Sequence, residues 1–318
     1  GRRALKANTT ANDNTALGHH ALELNTTGAY NVGVGSYSLD ANTTGGQNTG
    51  LGYATLSSNT SGEYNTAIGT NSLGANTTAN SNTAVGWNSL SANTTGTSNT
   101  AVGSRALYVH VSGNSNTAVG QNALDASTTA SANTALGTSA LGGTTTGSSN
   151  TAVGSGSLSS NTTGTRNIAI GVSALDSSTA QSDNIAIGDN VLQAVSGGNT
   201  AQGYKNIGIG TYALTNLNSS SSGDSIDNVA IGYEAMKQAT TAYRNVAVGY
   251  RALELNQTQN NICAVGWYSL RQSVSGGDNT GLGHYTATRT TTGQGNTAVG
   301  STAMQYNTTG SYNTAVGH

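Results

Sequence analysis

Proline and phenylalanine are absent from this sequence, and cysteine occurs once, at Cys263. A single thiol excludes an intrachain disulfide framework and leaves the redox compartment open. Charged residues are 8% of the 318-residue chain, and the formal net charge is −2. No basic run or stripe is present to follow a phosphate backbone, so nucleic acid is not an expected partner. No apolar run is long enough to cross a bilayer as a helix, and membrane insertion is not expected. No secretory signal peptide is visible.

What remains is glycine, 44 residues of it, with Thr, Asn, Ser and Ala. Composition alone suggests low complexity and disorder. The order of the residues argues otherwise. "NTAVGWNSLSANTTGTS" runs from Asn82 to Ser98, and NTAVG begins again at Asn99. Anchored on its glycine, the repeat falls at Gly18, Gly35, Gly52 and onward to Gly317, in steps of 17. Two steps are 22, from Gly188 to Gly210 and from Gly210 to Gly232. Gly1 fits the same phase, with Ala4 and Leu5 where "AL" belongs. The expectation is a single continuous repeat array over 1–318, cut mid-repeat at both ends and belonging to a longer protein. The two longer coils, at 189–232, are expected to carry protruding loops.

Each repeat holds a five-residue segment and turn chemistry such as Asn-Thr-Thr-Gly, which leaves no room for a useful helix. N-T-A-V-G reads as a short strand. The residue three before the anchor glycine is Thr, Val or Ile in 17 of 18 cases, Cys263 being the exception. The residue just before the glycine is always Val, Ile or Leu. These two share one strand face, and Ala or Gly between them occupies the other. A second apolar position follows four after the glycine, as in Leu22, Leu39 and Leu56, with Met236, Met304 and Ala287 as variants. The expected fold is all-β: a parallel β-solenoid with one 17-residue repeat per coil and about 18 coils. Asn at the strand start, present in 17 of 18 repeats, is expected to form an amide ladder. The β-branched face is expected to point inward, with Cys263 buried on it. The small Ala/Gly face is expected to meet another chain, giving an elongated symmetric oligomer.

The repeat resembles the arrays of phage tail fibres and tail-fibre-like surface proteins. Its N-T-A-[VI]-G core is also similar to the N-[ST]-x-A-[IV]-G motif in the heads of trimeric autotransporter adhesins, which are trimers of parallel β-rolls. The resemblance implies a homotrimer, a rigid fibre at an extracellular or virion surface, and a role in host attachment through a receptor-binding surface.

A contact surface is expected on the variable positions after the anchor glycine. From Tyr233 through Tyr250 and Trp267 to His284 these are aromatic or His in four consecutive repeats, and Tyr268 and Tyr285 lie beside them. Aromatic faces with a few charges suit sugar rings, so a cell-surface glycan or other receptor is a candidate partner; the alternative is that the rings brace neighbouring coils. Tyr204 and Lys205, in the first long coil, are candidate loop contacts. No catalytic, cofactor or metal residues stand out: the acidic residues do not recur as a pair, and His19 and His20, read as strand neighbours, point to opposite faces. Three functions compete: a structural and adhesive fibre segment, an ice-binding solenoid using stacked threonines, and a polysaccharide-degrading tailspike. Replacement of the strand threonine by Val or Ile in six repeats, the pattern expected for an inward-facing position, argues against ice binding, as does the often interrupted Thr-Thr pair in a turn. A carboxylate pair beside the aromatic stripe would favour the tailspike.

Overall fold

The computed structural model describes residues 1–193, 204–217 and 225–318. Among them are 18 strands of three residues each and no helix. The chain divides into two compact units, Gly1–Ser155 and Gly156–His318. The first holds β1 (Thr15–Leu17) through β9 (Thr151–Val153), and the second β10 (Ile168–Ile170) through β18 (Thr314–Val316). Within each unit every strand pairs in parallel with the next, in matched register, as in Thr66↔Thr83, Ala67↔Ala84 and Ile68↔Val85. This is a parallel β-solenoid in which one 17-residue repeat makes one coil.

The backbone outside the strands is paired along the stack as well. Thr60 N–H donates to the Thr77 carbonyl at 2.8 Å, and Asn71 N–H to the Tyr53 carbonyl at 2.9 Å. Continuous pairing of this kind explains how three-residue strands persist at all. The anchor glycine is demanded twice over. Gly86 has φ +136°, and a Cβ on it would stand 2.5 Å from the Gly103 carbonyl oxygen of the next coil.

The long coils do not disturb the register. Ile185 pairs with Ile207, and Ile207 with Val229. The amide ladder also continues across them, with Asn206 N–H donating to Asn184 Oδ1 at 3.0 Å and Asn228 N–H to Asn206 Oδ1 at 3.1 Å. The expected protruding loops fall at 194–203 and 218–224, outside the described residues.

The two strand faces are reversed from the sequence expectation. The central Ala points inward and is fully buried at Ala67, Ala84, Ala101, Ala186, Ala230 and Ala247. The flanking residues point outward, with Leu17 63% and Leu51 47% exposed, and Cys263 is only partly buried. The cause is volume. The leucine of each coil fills the interior opposite the strand centre: a Cβ on Gly33 would already lie 3.3 Å from Leu22 Cγ, and one on Gly281 3.0 Å from Leu270 Cγ. Alanine or glycine fits there, and a β-branched side chain does not.

Leu39, Leu56, Leu73, Leu90 and their equivalents are fully buried, although they adopt the left-handed region, with φ 50° at Leu90. A non-glycine residue there costs about 1–2 kcal/mol, and burying a leucine side chain offsets it by about 1.5–3 kcal/mol. Further alanines, such as Ala106 and Ala123, are buried as well, and much of the remaining interior is polar. Asn48 Nδ2 donates to the Gly62 carbonyl at 2.8 Å while Asn48 N–H donates to Asn31 Oδ1 at 3.0 Å. A second ladder runs through the Asn-Thr-Thr turn, where Asn42 Nδ2 donates to Asn25 Oδ1 and to the Gly45 carbonyl. Such buried amides are tolerable because they are paired.

Candidate binding surfaces

Outward-facing side chains vary most widely, and they form columns with about 4.8 Å between coils. At this spacing flat rings in consecutive coils can stack on one another. Tyr233 and Tyr250 stack at 5.3 Å between centroids and 13° between planes. Tyr250 and Trp267 stack at 4.4 Å and 20°. In the adjacent column Tyr268 stacks on Tyr285 at 5.2 Å, and His284 meets Tyr285 edge-on at 4.5 Å. The structure thus brings together all six residues expected from the sequence, and adds Tyr212 against Tyr233. The stack engages the ring faces with one another, which favours bracing over sugar contact.

Charged residues border the stack. Glu234 is buried, and its two oxygens accept from Lys237 Nζ at 2.7 Å and Arg251 Nε at 2.6 Å. Glu254, also buried, accepts from Arg271 Nε at 2.5 Å, and its other oxygen lies 4.0 Å from Arg251 Nε. The guanidinium of Arg251 lies over the Tyr250 ring, and that of Arg271 over Tyr268. Burial works to raise the Glu234 carboxyl, but the hydrogen bonds from Lys237 and Arg251 outweigh it and hold the group below the usual carboxylate range. This is a carboxylate pair beside an aromatic stripe, the arrangement that would favour a tailspike. Glycoside hydrolysis, however, needs one carboxyl that keeps its proton, and both of these are held in ion pairs by Lys237, Arg251 and Arg271.

Tyr204 is half-buried, and its carbonyl accepts from Asn206 Nδ2 at 3.2 Å and from Asp227 N–H at 3.4 Å. Its backbone therefore belongs to the coil ladder. Lys205 is exposed beside it, with φ 57°. His19 and His20 lie in a turn, not a strand, so they do not diverge as expected; their rings meet edge-on at 3.9 Å, and His20 Nδ1 contacts the Glu23 carboxylate. No group of three His, Cys, Asp or Glu residues is placed to hold a metal ion among the described residues.

A cavity of about 260 Å³ in the first unit is lined by Tyr30, Gln47, Tyr64 and Glu63, with Ala29 and Gly46 and two threonines. Sequence reasoning passed over it. The available signal was slight: two tyrosines two repeats apart, with Gln47 between them, in a column that is otherwise mostly polar.

The outward strand faces are the third surface. In β3 (Thr49–Leu51) through β9 each strand presents a threonine and an aliphatic residue. In β10 through β14 (Val246–Val248) both outward residues are Ile or Val. No protein-family model matches the chain, and no curated protein matches it either.

Proposed function

We propose that this segment is the shaft of a self-associated fibre, three copies packed along their outward strand faces, serving attachment at a virion or cell surface. One observation carries the reading: Ile168, Ile170, Ile185, Ile187, Ile207 and Ile209, with the valines and isoleucine of the next two strands, face outward and are only partly covered by their own chain. Contiguous apolar surface of this kind marks an association site, and its regular spacing suits an identical partner. The contact therefore uses the face opposite to the Ala/Gly face expected from sequence. The number three rests on the resemblance to trimeric fibre repeats. Sedimentation equilibrium is the test: a mass of three chains is expected, and a monomer at micromolar concentration would sink the fibre reading.

The outward orientation also favours a second reading. Thr49, Thr66, Thr83, Thr100, Thr117, Thr134 and Thr151 form one outward column on seven consecutive strands. Replacement of threonine by Val or Ile speaks against ice binding only at a position that faces the core, and this position faces outward. A regular array of threonine and aliphatic side chains is a template for ordered water. Thermal hysteresis of a monomeric sample would support that reading, and freezing without hysteresis would remove it.

A further inference from the structure

The cavity beside Tyr30 and Tyr64 lies where a repeating hydrogen bond is missing. Six residues before each anchor glycine most coils carry Asn, Ser or Thr. In several coils that side chain caps the backbone N–H of the equivalent residue one coil earlier. Asn80 Oδ1 accepts from Glu63 N–H at 2.8 Å, Asn114 Oδ1 from Thr97 N–H at 2.7 Å, and Ser131 Oγ from Asn114 N–H at 3.0 Å. Ala29 and Gly46 interrupt this column. Neither has a side-chain acceptor to offer, and Glu63 does not reach back to Gly46. The N–H groups of Ala29 and Gly46 consequently have no acceptor among the described residues, and both residues line the cavity.

The walls follow from the next position. Tyr30, Gln47 and Tyr64 share one left-handed conformation, with φ 61°, 57° and 59°, so their side chains leave the coil in equivalent directions. Tyr30 and Tyr64 are two coils apart, about 9.6 Å at the usual spacing of about 4.8 Å. Gln47 leaves the coil midway between them, about 4.8 Å from each, so the three side chains form one wall of the cavity, and the open space lies beside that wall, over Ala29 and Gly46. Both tyrosines are exposed, at 60% and 58%, and neither makes a ring contact with another aromatic residue among those described. Their faces are open, unlike those of the stacked tyrosines from 233 to 285. The floor offers two backbone donors, the sides offer the Gln47 amide and the hydroxyls of Thr27 and Thr44, and the Glu63 carboxylate stands at one end.

We infer that this slot binds one pyranose ring of a neutral saccharide. One apolar CH face of the ring lies against the wall of Tyr30, Gln47 and Tyr64, and its hydroxyl oxygens take the place of the missing side-chain acceptors on Ala29 and Gly46. Glu63 accepts from a further hydroxyl and disfavours acidic sugars. The volume, slightly below that of common ligand pockets of about 300 Å³ and above, fits one sugar unit with its neighbours in solvent. The slot lies wholly within one chain and does not depend on the fibre reading.

Saturation-transfer NMR on the full chain tests it, with the methyl glycosides of glucose, galactose, mannose and N-acetylglucosamine as probes. Millimolar binding of at least one is expected, with transfer strongest to ring CH protons. Gly46→Asn restores the polar column, since asparagine already occupies the equivalent position at Asn80 and Asn114; it should fold as the parent does and weaken binding at least tenfold. Tyr64→Ala should do the same, and Tyr250→Ala should not. The inference is overturned if no glycoside shows transfer, or if Gly46→Asn binds like the parent. Because the technique works on one chain or three, binding by a monomer would uphold the slot while sinking the fibre, and a trimer without binding would do the reverse.

Discussion

The two units are built on the same interior and differ on the outside. In the first, the strand centres are Ala84, Ala101 and Ala118 against Leu90, Leu107 and Leu124; in the second they are Ala169, Ala186 and Ala230 against Leu175, Leu192 and Leu214, all fully buried. The outward pair beside Ala101 is Thr100 and Val102, whereas beside Ala186 it is Ile185 and Ile187. Folding of a coil constrains the inner column tightly, since the space beyond the leucine admits only Ala or Gly. It places no such demand on the outer one. An aliphatic outer face is therefore not imposed by the inner column, and it is the face that the proposed association would cover.

The comparison can be broken at its common part. Leu107→Ala in the first unit and Leu214→Ala in the second should each cost about 3 kcal/mol, within the range for a buried leucine that leaves a cavity. Denaturant titrations of the two variants should agree closely. A cost several-fold smaller in one unit would mean that the interiors are not equivalent.

The outer faces should respond unequally. Ile209→Glu puts a charge on the all-aliphatic face, once per chain and three times per trimer. Self-association should weaken about a hundredfold, which is about 2.7 kcal/mol. Thr100→Glu, on the mixed face, should weaken it less than tenfold. Sedimentation as a function of concentration measures both. Equal effects would assign association to the coil in general and remove the special role of the aliphatic strands.

The solenoid was legible because identical coils restate their own rules: the glycine phase, the turn tetrad and the single leucine each recur at one spacing. The strand alternation gave two faces but not which was inside. Deciding that requires knowing that Leu22 and Leu270 reach across to the strand centre, a distance that no sequence pattern states. The aromatic stripe was legible as a column, yet the stacking of Tyr250 between Tyr233 and Trp267 follows from the coil spacing and changes its meaning. The Tyr30–Tyr64 slot was illegible for the opposite reason. Its signal is an absence, the missing acceptor at Ala29 and Gly46, and it shows only once the hydrogen bonds of the neighbouring coils are known.

The smallest effect separates the units by pH. In the first unit His110 stands where the turn ladder has asparagine in Asn76 and Asn93. It is fully buried, its Nε2 donates to the Gly113 carbonyl at 2.8 Å, and its Nδ1 lies 3.1 Å from Ser127 Oγ. Asn93 Oδ1, which the next amide would have bonded, is left buried and without a partner. Burial pushes the imidazole below its ordinary value of 6.5, against the Gly113 hydrogen bond, which works to raise it. A depressed folded-state value means that this contribution to stability is complete above about pH 6.5 and is lost as the pH falls through the folded value. Glu234 in the second unit is also depressed, from 4.5, so its contribution holds to a lower pH and is lost only below that. Hydrogen exchange of backbone amides should show the coils around His110 weakening first on acidification, and those around Glu234 later. His110→Asn should remove the earlier step and add about 1 kcal/mol by satisfying Asn93. If the variant and the parent soften at the same pH, the early step does not belong to His110.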